Sequence, residues 1–176
     1  MTKSTVLLVD DEPNVTAALR RRLRGAGYRV LEAHSGIHAL ERLGEEAVDV
    51  LVTDERMPGM PGSELVSLVA KDYPEVIRMI LSGQASLDAA IRAINEGRIY
   101  RFFLKPCDET DLLFTIEQAL AQRELIRENE RLRREVSEKA DLLRRLESEN
   151  PGITEVEEDD EGAVVIDARE IASTRD

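Results

Sequence analysis

The run Val50-Leu51-Val52-Thr53-Asp54, followed by Glu55-Arg56-Met57-Pro58-Gly59-Met60-Pro61-Gly62, constrains the chain more than any other stretch. An apolar segment ends on one carboxylate, and the two Pro-Gly pairs behind it can neither extend a strand nor sit inside a helix. Asp54 is therefore expected at the C-terminal lip of a buried strand. In an open parallel α/β sheet, the crevice outside that lip is where ligands bind.

Taken in order, the chain alternates strand and helix. Thr5 to Val9 is an apolar strand ending in Asp10-Asp11-Glu12, and Pro13 suits the first turn of a helix that Gly25-Ala26-Gly27 stops. That helix carries Val15, Ala18, Leu19 and Leu23 on one side and Arg20, Arg21, Arg22 and Arg24 mostly on the other, a solvated basic face. Residues 28–33 read as a second strand, and residues 37–46 as a second amphipathic helix begun at Ser35-Gly36. Residues 48–53 form the strand that delivers Asp54. A helix over 63–72 turns Leu65, Leu68 and Val69 inward and is stopped by Pro74. Then come a strand over 76–81 with Ser82-Gly83 at its lip, a helix over 87–96, and a strand over 99–104 ending on Lys105-Pro106. Five such repeats imply an α/β fold: a five-stranded parallel sheet, doubly wound with helices on both faces and right-handed crossovers.

The last helix is too long for that role alone. Its pattern runs from Glu109 to Glu149, roughly 40 residues where an ordinary helix has about 11 to 12. Leu112, Leu113, Ile116 and Ala119 can cover the sheet. Beyond Gln122, Leu125, Asn129, Leu132, Val136, Lys139, Leu143 and Leu146 recur at steps of four and three, the spacing of a heptad seam. Glu128 and Arg133 flank it, able to pair between chains. The expected organisation is a first domain over residues 1–122, a parallel coiled coil over 123–149 that makes a homodimer, and an acidic tail over 150–176, a β-hairpin or disordered. A solvated single helix laced by Glu and Arg pairs is the alternative for the coil.

Composition narrows the partners. With 24 basic against 36 acidic residues, the net charge of -12 disfavours nucleic acid, whose backbone is bound by Lys and Arg. No apolar run approaches the roughly 20 residues that span a bilayer, so no membrane association and a cytoplasmic location are expected. The single cysteine, Cys107, cannot form an internal disulfide, and with His34 and His38 it cannot complete a four-ligand zinc site. Both histidines read as surface residues, and Cys107 as a thiol without a second thiol to partner it.

The strand ends would bring together Asp10 and Asp11, Asp54, Ser82 and Lys105. Neighbouring strands lie about 4.8 Å apart, so these groups can share one pocket. Two like charges about 4 Å apart cost roughly 4 kcal/mol at an effective dielectric of 20, so three carboxylates against one lysine call for a further cation. Hard oxygen donors favour Mg²⁺. A carboxylate between Mg²⁺ and a lysine is suited to accept a phosphoryl group, with Asp54 as nucleophile.

Val9-Asp10-Asp11-Glu12, Thr53-Asp54-Glu55-Arg56-Met57-Pro58-Gly59, Leu81-Ser82-Gly83 and Phe103-Leu104-Lys105-Pro106 together resemble the receiver domain of two-component response regulators, over about residues 4 to 122. The resemblance implies a flavodoxin-like fold and a histidine kinase or phosphotransfer protein as phosphoryl donor. It makes Asp54 the phosphoacceptor, and it has Asp11, Asp54 and the Arg56 backbone carbonyl hold Mg²⁺, with Asp10 acting through water. Lys105 would pair with the phosphate, Ser82 would hydrogen-bond it after switching, and Phe102 would be the switch aromatic, an ordinary core residue being the plainer reading. The peptide before Pro106 would be cis. Arg56 and Gln84 fall at positions that tune dephosphorylation, and neither supplies a carboxylate base, so a long-lived phosphoprotein is expected. No DNA-binding or catalytic signature follows Leu120. The expected output is dimer geometry or the binding of a downstream protein, not an enzyme activity beyond the chain's own phosphorylation and dephosphorylation. Two other classes remain: a constitutive coiled-coil adaptor whose first domain only docks, and a small aspartyl-phosphate hydrolase.

Overall fold

The computed structural model describes residues 3–83 and 99–151. The expected helix over 87–96, Gln84, and the tail beyond Pro151 lie outside them. The chain divides into two compact units, Met1–Glu124 and Leu125–Asp176.

The first unit is built on five parallel strands, β1 (Thr5–Val9), β2 (Arg29–Ala33), β3 (Val50–Asp54), β4 (Ile77–Ser82) and β5 (Arg101–Leu104), in the order β2-β1-β3-β4-β5. Side chains alternate across the pleat and so feed two cores. On one face Leu7 and Val9, Leu51, and Ile80 meet Ala39 and Leu43 of helix α2 (Gly36–Glu45) and Leu65, Val66 and Val69 of α3 (Gly62–Asp72). On the other, Val6 and Leu8, Val50 and Val52, and Met79 and Leu81 meet Leu23 of α1 (Pro13–Gly25) and Leu112, Ile116 and Ala119 of α4 (Glu109–Glu149). This is the doubly wound sheet that the alternation of elements implied. Strands buried on both faces read as continuous apolar runs, as β1 and β3 do, whereas β2 and β5 at the sheet edges carry exposed Arg29 and Arg101.

Local chemistry explains the differences in boundary. Tyr28 does not enter β2, because its N–H turns back to the Leu23 carbonyl at 3.1 Å and closes the end of α1, with Gly27 at φ +95° making the turn. Strand β3 begins two residues later than expected, and Asp49 stands at its mouth. It also runs through Asp54, which pairs in register with Leu81. In α3 the fully buried residues are Leu65, Val66 and Val69, while Leu68 is half-buried.

At the N-terminal edge of the sheet, Arg123 gathers three segments. Its Nη2 contacts Asp49 Oδ1 at 2.6 Å, and its Nη1 donates to the Asp49 and Glu75 carbonyls at 3.2 and 3.3 Å. The other Asp49 oxygen accepts the Thr5 N–H at 2.8 Å. One guanidinium thus joins α4 to the starts of β1, β3 and β4. Replacing it takes the paired cation from the half-buried Asp49 carboxylate, leaving it the Thr5 N–H, and leaves the Asp49 carbonyl with the Ile77 N–H alone of its two donors. Arg123→Ala is expected to lower unfolding stability by about 1–3 kcal/mol, measured by urea denaturation, whereas truncating the exposed Arg21 is expected to change it little.

The second unit is described through Pro151. The 41-residue α4 ends at Glu149, where the Asn150 N–H reaches the Leu146 carbonyl at 2.8 Å. Here Leu125, Ile126, Leu132, Val136, Leu142 and Leu143 are all exposed. Arg131 pairs with Glu128 at 2.6 Å and Glu135 at 3.1 Å, and Arg144 with Asp141 at 3.1 Å. No helix among the described residues is long and apolar enough to cross a membrane.

Candidate functional site

Three strand ends meet through one ammonium group. Lys105, just past β5, places Nζ 2.8 Å from Asp10 Oδ2 and 2.6 Å from Asp54 Oδ1. Both carboxylates are nearly buried, at 4% and 6% exposure, so neither charge is solvated well enough to stand alone. Each remaining oxygen takes a backbone donor: the Glu12 N–H reaches Asp10 Oδ1 at 2.9 Å, and the Arg56 N–H reaches Asp54 Oδ2 at 2.7 Å. Burial pulls the Lys105 ammonium down, but hydrogen bonds and Coulombic attraction from Asp10 and Asp54 outweigh it, leaving its pKa above the ordinary lysine value. It is therefore charged at neutral pH.

The sequence-predicted residues arrange themselves around this triad. Ser82 is fully buried at the end of β4, the strand between β3 and β5, and its carbonyl accepts the Lys105 N–H at 2.8 Å. Asp11 follows Asp10 and is exposed to solvent, as is Arg56. Phe102 is half-buried against the core face shared by α2 and α3. The Lys105-Pro106 peptide is cis. Asp10, Asp54, Lys105 and Ser82 thus converge, while Asp11 stands at the open side. Among the described residues no three His, Cys, Asp or Glu side chains cluster closely enough to hold a metal ion by themselves. What the crevice presents is the hard carboxylate oxygens of Asp10 and Asp54.

That loop is held by contacts local patterning did not reveal. Glu55 reaches forward eight residues, its carboxylate accepting the Ser63 N–H at 2.9 Å and hydroxyl at 2.8 Å, and so caps α3 where Pro61 has no side-chain cap to give. Gly59 turns the chain at φ +84°. A methyl group on Gly62 would collide with the backbone carbonyl of Asp54. The helix start is therefore pressed against the residue at the heart of the site. Gly62→Ala is expected to cost about 1–3 kcal/mol by overpacking and to move Asp54, seen as lost stability together with changed Asp54 and Lys105 resonances in NMR spectra.

The described core matches a known family model, the response regulator receiver domain, over residues 6–117. The chain belongs to this family. It is 35% identical over 147 residues to the hydrogenase transcriptional regulatory protein HoxA of Cupriavidus necator, covering 84% of this chain and 30% of that protein. It is 37% identical over 117 residues to the transcriptional regulatory protein GlrR of Escherichia coli, covering 66% and 26%. The chain thus spans under a third of the length of these relatives. Among solved structures, a receiver domain protein (CheY-like) of Methanospirillum hungatei superposes with a TM-score of 0.66 at 27% identity, over 70% of this chain and 98% of that one. The beryllofluoride-activated NtrC4 receiver domain dimer does so with 0.64 at 30% identity, over 68% and 98%.

In this receiver Cys107 lies beside Lys105-Pro106, half-buried against the α1 and α4 core, with its thiol 3.4 Å from the Asp108 carbonyl. Burial, then the nearby charges of Asp111, Asp108 and Glu109, push its pKa up. A raised value means less thiolate at any given pH, and the thiolate is the nucleophile. Alkylation by iodoacetamide at neutral pH is expected to run slower than for a small cysteine peptide, with the inflection of its pH profile displaced to higher pH.

Proposed function

We propose that Asp54 is the phosphoacceptor of a two-component phosphorelay, taking its phosphoryl group from a histidine kinase or phosphotransfer protein. The observation that carries this reading is the Lys105 ammonium 2.6 Å from Asp54 and 2.8 Å from Asp10 in a nearly buried crevice at the strand ends. An Asp54 carboxylate oxygen attacks phosphorus. The new P–O bond forms as the P–N bond to the donor imidazole breaks, and the imidazole leaves with that electron pair. Lys105 is charged and already in contact, so it needs little reorganisation to balance the incoming oxygens. Asp54 is held for attack by the Arg56 N–H and by the loop that Gly62 and Glu55 fix.

The hard oxygen donors suit Mg²⁺, which takes one or two carboxylates and keeps several waters. Asp11, Asp54 and the Arg56 carbonyl would hold it, with Asp10 acting through water, and it would neutralise phosphoryl oxygens. The Arg56 N–H, 2.7 Å from Asp54 Oδ2, keeps this residue beside the carboxylate, and Asp11 is exposed next in the chain to Asp10, which supports this assignment. Ser82 would turn its hydroxyl to the bound phosphoryl group, and Phe102, half-buried one strand away, would follow it inward. With neither Arg56 nor Gln84 supplying a carboxylate base, the phosphoprotein would be long-lived.

The organisation we propose is a receiver over 1–122, a coiled coil over 123–149 that pairs two chains, and an acidic tail over 150–176. It would act in the cytoplasm through the geometry of the pair or through a downstream protein that binds it. The exposed apolar row Leu125, Leu132, Val136 and Leu143 supports the pairing.

Incubation with a radiolabelled small-molecule phosphoryl donor is expected to label the chain only with Mg²⁺ present, and to leave it unlabelled when Mg²⁺ is chelated beforehand or in Asp54→Asn. Labelling of Asp54→Asn at the wild-type rate would overturn the assignment. Ser82→Ala is expected to retain labelling yet respond weakly in light-scattering mass on addition of beryllofluoride.

A further inference from the structure

We infer that Lys139 faces its own counterpart across a parallel, in-register pair of α4 helices and is a built-in weak layer that keeps the pair near its threshold of association. This deepens the homodimer reading above and rests on it.

The seam runs Leu125, Asn129, Leu132, Val136, Lys139, Leu143, Leu146. Of its five apolar members, Leu125, Leu132, Val136 and Leu143 are 72%, 47%, 67% and 53% exposed in the single chain, and Leu146 is half-buried. A second copy fits this row better than an unrelated apolar surface. In an in-register parallel pair Asn129 meets Asn129, which can hydrogen-bond and fixes the register. Glu128 of one helix, which Arg131 of its own chain holds at 2.6 Å and whose oxygens can accept further donors, comes beside Arg133 of the other, and Arg133 makes no ion pair within its own chain among the described residues. Running the helices antiparallel would instead set Arg133 near Arg133 and Glu135 near Glu135, like charge on like. The flanking charges therefore select the parallel arrangement.

That choice has one poor layer. Lys139 is the fifth of the seven seam positions, next after the central Val136, and its partner in the parallel pair is another Lys139. Glu135, four residues before it, is engaged by Arg131 at 3.1 Å, and Lys139 has no ion pair among the described residues. Two ammonium groups brought together must bend out to water along their alkyl stems, which removes apolar contact from within a short seam. Three heptads with one layer lost form a weak pair, so added contacts between receivers can decide whether it forms.

Sedimentation equilibrium of the full chain with Mg²⁺, with and without beryllofluoride, tests this. Lys139→Leu is expected to tighten the dimer on the order of 100-fold and to make it independent of beryllofluoride, while Arg134→Leu, outside the seam, tightens it far less. Lys139→Glu alone is expected to remain weak, but mixed with wild-type chains it should give a heterodimer on the order of tenfold tighter than either parent. A mixture no tighter than its parents, alongside a dimeric Lys139→Leu, would overturn the Lys139 layer and leave the homodimer standing. If Lys139→Leu is monomeric at all concentrations in both states, the homodimer itself falls and the layer with it.

Discussion

The structure turns on the Lys105 ammonium held between Asp10 and Asp54. These groups come from the ends of β5, β1 and β3, and the lysine reaches past β4 to close the arrangement. Two carboxylates this buried would repel each other by several kcal/mol without it. With it, the crevice tolerates one negative charge in excess, and Asp11 adds another at the open side. The crevice thus keeps a surplus of negative charge that a bound cation would offset. Such a site costs stability, and the two full core faces beneath it offset that cost.

The supports divide by end of the sheet. At the C-terminal lip, Glu55 caps α3 and Gly62 lets that helix start against the Asp54 backbone, so the Asp54 carboxylate is fixed by main-chain contacts rather than by its own rotamer alone. At the opposite edge, Arg123 ties α4 to the mouths of β1, β3 and β4. Chemistry and anchoring thus occupy opposite ends of the same strands, and a change at one end need not dissolve the contacts at the other.

Much of this was legible in the chain because β1 and β3 are buried on both faces and lead into acidic residues and abrupt breakers. Val50 to Asp54 followed by Pro58-Gly59 announces both an element and its site, and the same holds for Thr5 to Asp10 and for the run ending on Lys105. Asp10, Asp54 and Lys105 could be placed together from sequence since parallel strand ends share an edge. What escaped was non-periodic. Asp49 and Arg123 are 74 residues apart, and nothing in either neighbourhood marks the pairing. The reach of Glu55 to Ser63 spans a loop whose course is set by Gly59 and Gly62, and Val66 is buried in the same core as Leu65 and Val69, a wider apolar face than the expected stripe.

Energetics indicate how the proposed phosphorylation can be read out. Lys105 is already bonded to two carboxylates, so a phosphoryl group on Asp54 would exchange one anionic partner for another, and the net gain from that contact is small. A new hydrogen bond from Ser82 to the phosphoryl group would contribute about 1.5–3 kcal/mol. Moving a two-state population from 1:99 to 99:1 takes about 5.5 kcal/mol. The difference has to come from contacts that exist only in the switched state, and a second chain is the nearest source of them. An association held close to its threshold needs only a few kcal/mol to change state. In that arrangement, a single buried serine can govern whether two chains meet.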